Sequence, residues 1–368
     1  MKILIVKLSA IGDVLHTLPA LNAIRSAYPS AHITWLVEAA AAPLVVGHPA
    51  LDRVIVSHRK RWIQEFRTCH WKPAVKDACK LIRDIRDTDY DIILDFQAHL
   101  KSGVLIALAR GRRKIGFDRG MAHQEHSYLF LNERIAPVDM DVHALERNLR
   151  MLAPLGIHTR NIVYRLPISQ DDRAMARRLL IEAGCDMSRP LICINPVAKW
   201  DTKLWRNDRF ASLSDHLAER YQAQPVFTGA ADDGKTVQDI LSCTTSQAAV
   251  DLTGKTSLKT LAALYENADV LISTDTGPMH LGAAMGIPVV ALFGPTAPWR
   301  TGPVGDQHHI VRTGVPCSPC FRRECASQEC MQEISVDDVL RCVDRVLTSK
   351  ASGGGISPTP CTVETPHS

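Results

Sequence analysis

DVLISTDTGPMHLGAAMGIPVVALFGPT, residues 269–296, decides the fold. DVLIST is a branched, apolar run of strand character, PMHLGAAMG has helical spacing, and PVVALFG is apolar again. A strand, a helix and a second strand in so short a span make a parallel crossover unit. Asp275, Thr276 and Gly277 turn the chain from the first strand into the helix. Pro278 suits a first helical turn, where its missing N–H costs nothing. The free N–H groups of such a helix, and the positive end of its dipole, suit a phosphate or diphosphate. Gly277 lets the backbone approach a ligand closely, and His280 lies one turn in, on the face nearest the loop. FGPT then repeats the strand-into-Gly-Pro pattern. The alternative is that Asp275 only caps the helix, which Asp does well.

The same alternation extends outward in both directions. Upstream lie PLICINP, QPVFTG and AVDLTG as strands, with helices between them at residues 207–221, 232–242 and 257–268. The first half reads the same way. KILIVK, HITWLVE, RVIVS and YDIILDFQ are strands, and residues 12–29, 73–87 and 101–111 are helical, with a short helix from Ala39. Two doubly wound, parallel α/β domains follow. The expected division is a first domain at 1–157, a linker region at 158–188 and a second domain at 189–348. The Gly/Ser/Pro/Thr-rich tail at 349–368 has nothing to bury and is expected to be disordered. Ligands bind open α/β sheets at the strand carboxyl ends, so the two crevices are expected to face one another.

The chain of 368 residues is 46% hydrophobic, enough for two ordinary cores. No apolar run approaches the roughly 18 residues of a membrane span, and MKILIVKLSAIGD carries a lysine inside its apolar run, unlike a signal peptide. The expectation is a cytoplasmic protein, or one held peripherally on a membrane. Residues 1–157 hold 22 Lys+Arg against 16 Asp+Glu, whereas the remainder is slightly acidic, so an anionic partner is expected at the first domain. HRKRW (58–62) and RGRRK (110–114) concentrate that charge. No recognition motif or aromatic stacking series accompanies them, which disfavours nucleic acid. Of the 11 cysteines, four cluster in CSPCFRRECASQEC: Cys317, Cys320, Cys325 and Cys330. Four thiols at this spacing could bind zinc, but the loose second pair favours a structural loop. The Asp139–Asp141 pair (DMD) precedes a helix and reads as a cap rather than a metal site.

SAIGDVLHTLPAL (9–21) places Asp13 just after the first strand. Its local chemistry leaves two readings open, a helix cap and a cleft-facing acid. Three stretches, in order, resemble glycosyltransferase family 9, the ADP-heptose:lipopolysaccharide heptosyltransferases. ILIVKLSAIGDVLHTLPAL is similar to the family's N-terminal signature, most nearly to type I members. VAKWDTKLW (197–205) looks like its middle motif, and DTGPMHLGAAMGIPVVALFGPT resembles its donor-site signature. The cysteine segment is similar to that of type II members.

The resemblance implies the GT-B architecture, two Rossmann-like domains facing a cleft, with the acceptor on the first and the nucleotide sugar on the second. It implies an inverting transfer of heptose from ADP-heptose to the Kdo/heptose inner core of lipopolysaccharide, with no metal and no cofactor. Asp13 matches the base. Lys203, Thr276, Gly277 and His280 match diphosphate contacts, Asp275 matches the acid beside them, and Asp233 falls near an acid that binds the nucleoside. Where the type I pattern has two Thr before the lysine, this chain has Ala198 and Lys199, so Lys199 or Thr202 is expected to substitute. Arg59, Lys60 and Arg61 resemble an Arg-rich acceptor loop for an anionic lipid A–Kdo acceptor, or a contact with the inner face of the inner membrane. Two rivals remain at this point, a GT-B nucleotide-sugar epimerase and a non-catalytic nucleotide-sugar binding module. A dinucleotide dehydrogenase is disfavoured, because the first strand-to-helix turn lacks the Gly-x-Gly-x-x-Gly fingerprint.

Overall fold

The computed structural model describes residues 1–68, 71–121 and 125–351. The chain divides into two compact units, Met1–Pro167 and Ile168–Ser368. In the first, β1 (Lys2–Val6), β2 (His32–Glu38), β3 (Arg53–Ser57), β4 (Asp89–Asp95), β5 (Arg110–Phe117) and β6 (Glu133–Ile135) form one parallel sheet in the order β3-β2-β1-β4-β5-β6. β1 is central, in register with both neighbours: Ile3 lies opposite Ile33 of β2 and Ile92 of β4. Ile3, Leu4, Ile5 and Val6 are fully buried, as a strand covered on both faces must be.

The helical reading of residues 12–29 splits into two helices, Ile11–Leu15 and Leu18–Ala27. Pro19 has no N–H to continue the first, and sits in the opening turn of the second. The short helix expected from Ala39 is a single turn, Ala42–Leu44. In this unit two strands, β5 and β6, were not expected. The helix read over 101–111 ends at Leu108, and RGRRK is the start of β5, where its charges find partners. Arg113 forms a fork on Glu133 of β6 at 2.8 Å, and Lys114 Nζ donates to the Ile106 carbonyl at 2.9 Å. Gly111 keeps β5 against β4; a Cβ there would stand 2.4 Å from Ile93 Cδ1. Asp139 caps no helix. Its Oδ1 accepts the Asp141 N–H at 2.8 Å, and His143 caps the helix Ala144–Arg150.

The second unit repeats the topology. β7 (Leu191–Asn195), β8 (Gln224–Phe227), β9 (Val250–Asp251), β10 (Val270–Thr274), β11 (Val289–Leu292) and β12 (His309–Val311) run in the order β12-β11-β10-β7-β8-β9. The helix Gln170–Glu182, inside the expected linker region, belongs to this unit: Arg173 grips Glu266 at 2.7 and 2.8 Å. Ser169 and Asp172 close its N-terminus reciprocally. The last helix, Val336–Ala351, takes in the first residues of the expected tail. Residues 352–368, which carry the rest of that expectation, lie outside the described residues, as does Cys69. Among the described residues no helix is long and apolar enough to cross a membrane.

The helix Gly277–Ala284 lies directly on β10. A Cβ on Gly282 would meet Leu271 Cδ2, fully buried, at 2.4 Å. Gly282→Val must therefore lift the helix from the sheet, at a cost of about 2 kcal/mol. Thermal or urea unfolding reads this directly, and a variant as stable as the parent chain would contradict the close packing.

Candidate active site

In a doubly wound sheet the strand order reverses at one point, and the loops leaving the two strands there splay apart to leave a crevice. In the first unit that point lies between β1 and β4. The β1 exit carries Lys7 and Asp13, and the β4 exit carries Asp95 to His99. The two exits are stitched together. Gln97 Oε1 accepts the Leu8 and Ser9 N–H groups at 2.9 and 3.0 Å, and Lys7 Nζ donates to the Phe96 carbonyl at 2.9 Å. Asp95, almost fully buried, accepts the Gln97 and Ala98 N–H groups through Oδ1 at 3.1 Å each. Burial pushes its carboxyl above the usual range despite those donors. Burial likewise pulls the Lys7 ammonium down, with Asp13 and Asp95 drawing it back up.

Asp13 stands at the third position of the helix Ile11–Leu15, half-buried. Its Oδ2 accepts the Ala10 N–H at 2.9 Å, so the helix-cap reading is physically real. The other oxygen makes no hydrogen bond among the described residues. Asp13 lines a hollow of ≈ 190 Å³ with Lys7, Gln97, His99, Arg147 and Asn148. Arg147 is steadied by the Met140 and Val142 carbonyls, at 2.8 and 2.6 Å. One carboxylate thus stands among two cations in a concave space, an arrangement able to hold an anionic molecule and take a proton from it.

The switch point of the second unit lies between β7 and β10, and it gathers the other predicted residues. Lys203, from the β7 exit, places Nζ 2.6 Å from Asp275 Oδ2 and 3.2 Å from the Asp275 carbonyl at the β10 exit. Thr296, from the β11 exit, donates to the same Oδ2 at 2.6 Å. Asp275 therefore does not cap the helix that follows. Thr276 occupies the cap position and its side chain makes no capping bond, so the start of Gly277–Ala284 carries no side-chain cap. His280, one turn in, is half-buried. Trp205 explains why the lysine is followed by a tryptophan two residues on. It is buried, its Nε1 donates to the Ile334 carbonyl at 2.9 Å, and its ring meets Phe210 edge-on at 4.9 Å. The indole anchors the loop that presents Lys203.

Other expected residues fall less centrally. Asp233 accepts the Ala230 N–H at 2.7 Å at the start of the helix Gly234–Leu241, near Gly229 at the β8 exit. Thr202 is buried and its hydroxyl donates to the Arg322 carbonyl at 2.9 Å. Lys199 lines a hollow with Trp200, Asp201 and Arg323. Arg59, Lys60 and Arg61 open a helix, Arg59–Arg67, rather than a loop. Arg59 is held by the buried Glu38 at 3.1 Å, and Glu38 also meets Lys101, which reaches Ser9 beside the Asp13 helix. Lys60 is exposed. Arg61 pairs with Asp77 and Glu65 and lines a hollow separate from that of Asp13.

The cysteine segment is docked on the β11 exit. Ser318 Oγ donates to the Gly294 carbonyl at 2.6 Å, and the Cys320 and Phe321 N–H groups go to the Pro295 carbonyl at 3.1 and 2.7 Å. Cys330 is buried and its thiol is pushed up to about 11, whereas Cys317 and Cys325 are exposed. Among the described residues no group of three or more His, Cys, Asp or Glu is arranged to hold a metal. The residues that sequence reading missed are Lys7, Arg147, Thr296, Trp200 and Arg323. Lys7 had a signal, a lysine inside an apolar run, and Trp200 and Thr296 stand inside VAKWDTKLW and FGPT; Arg147 and Arg323 meet the site only through tertiary contacts.

Similarity in sequence and in fold points to one family. The model of a family described as glycosyltransferase family 9 (heptosyltransferase) matches residues 78–331. Lipopolysaccharide heptosyltransferase 1 of Pseudomonas aeruginosa is 30% identical over 345 residues, which cover 93% of this chain and 92% of that protein. The structure of the E. coli heptosyltransferase WaaC with ADP superposes with a TM-score of 0.73 at 26% identity, covering 94% of this chain and 100% of that one. WaaC with ADP-2-deoxy-2-fluoro heptose gives 0.71 at 26% identity, covering 94% and 99%.

The buried Lys203–Asp275 pair predicts an asymmetry. Asp275→Ala strands an ammonium and should cost about 3 kcal/mol in urea unfolding. Lys203→Met added to Asp275→Ala should recover much of that loss, giving a coupling of at least about 1 kcal/mol. Strict additivity of the two changes would show that the pair is not an energetic unit.

Proposed function

Because the chain belongs to glycosyltransferase family 9 and is built of two Rossmann-like domains, the GT-B composition, we propose that it transfers heptose from ADP-heptose to the Kdo/heptose inner core of lipopolysaccharide. The observation that carries this reading is the Lys203–Asp275 pair beside the uncapped start of the helix Gly277–Ala284. A strand-end crevice with a cation and free N–H groups is what a diphosphate needs. ADP and ADP-2-deoxy-2-fluoro heptose in the WaaC structures support the choice of nucleotide and sugar.

The chemistry follows from the residues. An acceptor hydroxyl attacks the anomeric carbon of the donor from the side opposite the diphosphate, so the transfer inverts configuration. Asp13 takes the hydroxyl proton through the carboxylate oxygen not occupied by the Ala10 N–H. The C1–O bond to the diphosphate breaks, and ADP leaves with the bonding pair. Lys203 and the free N–H groups at the start of the helix Gly277–Ala284 stabilise the developing negative charge, with His280 beside them, so the leaving group is served without a metal ion. Lys7 and Arg147 beside Asp13, with Arg59 and Lys60 nearer the rim of the same sheet edge, suit a carboxylated or phosphorylated acceptor. Asp233 is assigned to the nucleoside. The acceptor is a lipid, so the enzyme works at the cytoplasmic face of the inner membrane, held there peripherally by its basic first domain.

Asp13→Asn tests the mechanism cleanly. The amide oxygen can still accept the Ala10 N–H, so the local turn survives while the base is lost. ADP release dependent on a Kdo-bearing lipid A acceptor should fall about 10²–10⁴-fold, with ADP affinity unchanged. Transfer near the parent rate would refute Asp13 as the base.

A further inference from the structure

The donor reading leaves a charge deficit, and the inference here rests on that reading. Lys203 is matched one to one by Asp275 at 2.6 Å, so the pair brings little net charge to a ligand. The start of the helix Gly277–Ala284 adds a partial charge of about half a unit. A nucleoside diphosphate carries more negative charge than that. Further cations must supply the balance, and two stand nearby without an ion-pair partner among the described residues: Lys199 and Arg323.

Arg323 comes from the cysteine-rich segment, remote from Lys203 in sequence. Its guanidinium carbon lies 4.9 Å from the centre of the Trp200 ring, and Lys203 Nζ lies 4.6 Å from the centre of the same ring. The two cations therefore share one indole. Lys199, Trp200, Asp201 and Arg323 line a single open hollow of ≈ 190 Å³. The placement is built rather than incidental. Buried Thr202, next to Lys203 in the chain, donates to the carbonyl of Arg322 at 2.9 Å. Pro295, next to the Asp275 partner Thr296, accepts the N–H groups of Cys320 and Phe321 at 3.1 and 2.7 Å. Arg323 is thus fastened between the two loops that hold the Lys203–Asp275 pair.

We propose that Arg323 is a diphosphate-binding residue of the donor site. Its guanidinium, with the Lys199 ammonium beside it, takes phosphate oxygens whose charge Lys203 does not balance. A planar fork of N–H donors suits two phosphate oxygens at once. The cysteine-rich segment is, on this account, the arm that delivers the arginine.

Calorimetric titration of ADP and AMP into the full chain and into Arg323→Gln tests this. Arg323 is exposed, so the substitution leaves the fold intact, which a matching thermal melt verifies. ADP affinity should fall about tenfold, AMP affinity much less, and KM for the ADP-sugar should rise in parallel. If the parent chain prefers ADP to AMP and Arg323→Gln retains that preference undiminished, Arg323 does not bind the diphosphate. If the parent chain itself shows no preference for ADP, the donor reading falls, and this assignment with it.

Discussion

The ammonium of Lys203 and the carboxylate of Asp275 meet at 2.6 Å where the strand order of the second sheet reverses. Most of what surrounds them exists to make that contact tolerable. Both groups are largely withdrawn from water, and a buried charge is stable only when paired and hydrogen-bonded. The pair is therefore closed by Thr296 and by the Asp275 carbonyl, and the lysine loop is pinned from below by the indole of Trp205. Three strand exits, those of β7, β10 and β11, are drawn together by one carboxylate oxygen. The result is a rigid rim on which the uncapped helix start is presented, instead of three independent loops.

The first unit solves a similar problem by other means. Gln97 and Lys7 tie the β1 and β4 exits through backbone groups, so the rim holds its shape without using Asp13 fully. That frees one oxygen of Asp13. The cap and the proposed base are not competing explanations, because a carboxylate has two oxygens and each can serve one role. A sequence places the acid at the right position but does not divide its oxygens; only the Ala10 contact does.

What could be read in advance followed physical signal strength. Strands buried on both faces, such as β1 and β10, are uninterrupted apolar runs and are plain in the sequence. β5 hid because its outer half is charged and borrows Glu133 from a neighbouring strand that is itself only three residues long. β12 is equally short, and its His309 carries no strand signature. Asp13, Lys203 and the Asp275–His280 turn were legible as motifs. Arg147 and the proposed Arg323 were not, because each reaches its site across the fold, and Thr296 lies inside the legible FGPT stretch but meets Asp275 only in the folded chain. The Thr202 contact was hidden for the same reason: its partner, the Arg322 carbonyl, lies 120 residues away in the chain.

The position of β1 has a consequence for how the protein is made. β1 pairs on one side with β2, at Ile33, and on the other with β4, at Ile92. During synthesis the central strand emerges early and acquires its second neighbour only when β4 follows. Until then it has an open edge of unpaired N–H and C=O groups. β7 waits in the same way for β10, since Ile192 lies opposite both Pro225 and Val270. Each central strand is thus closed by the fourth strand of its unit, and the nascent chain passes through two intervals in which a largely apolar strand offers a free edge. Those intervals are when a chaperone that shields extended, apolar segments would matter most.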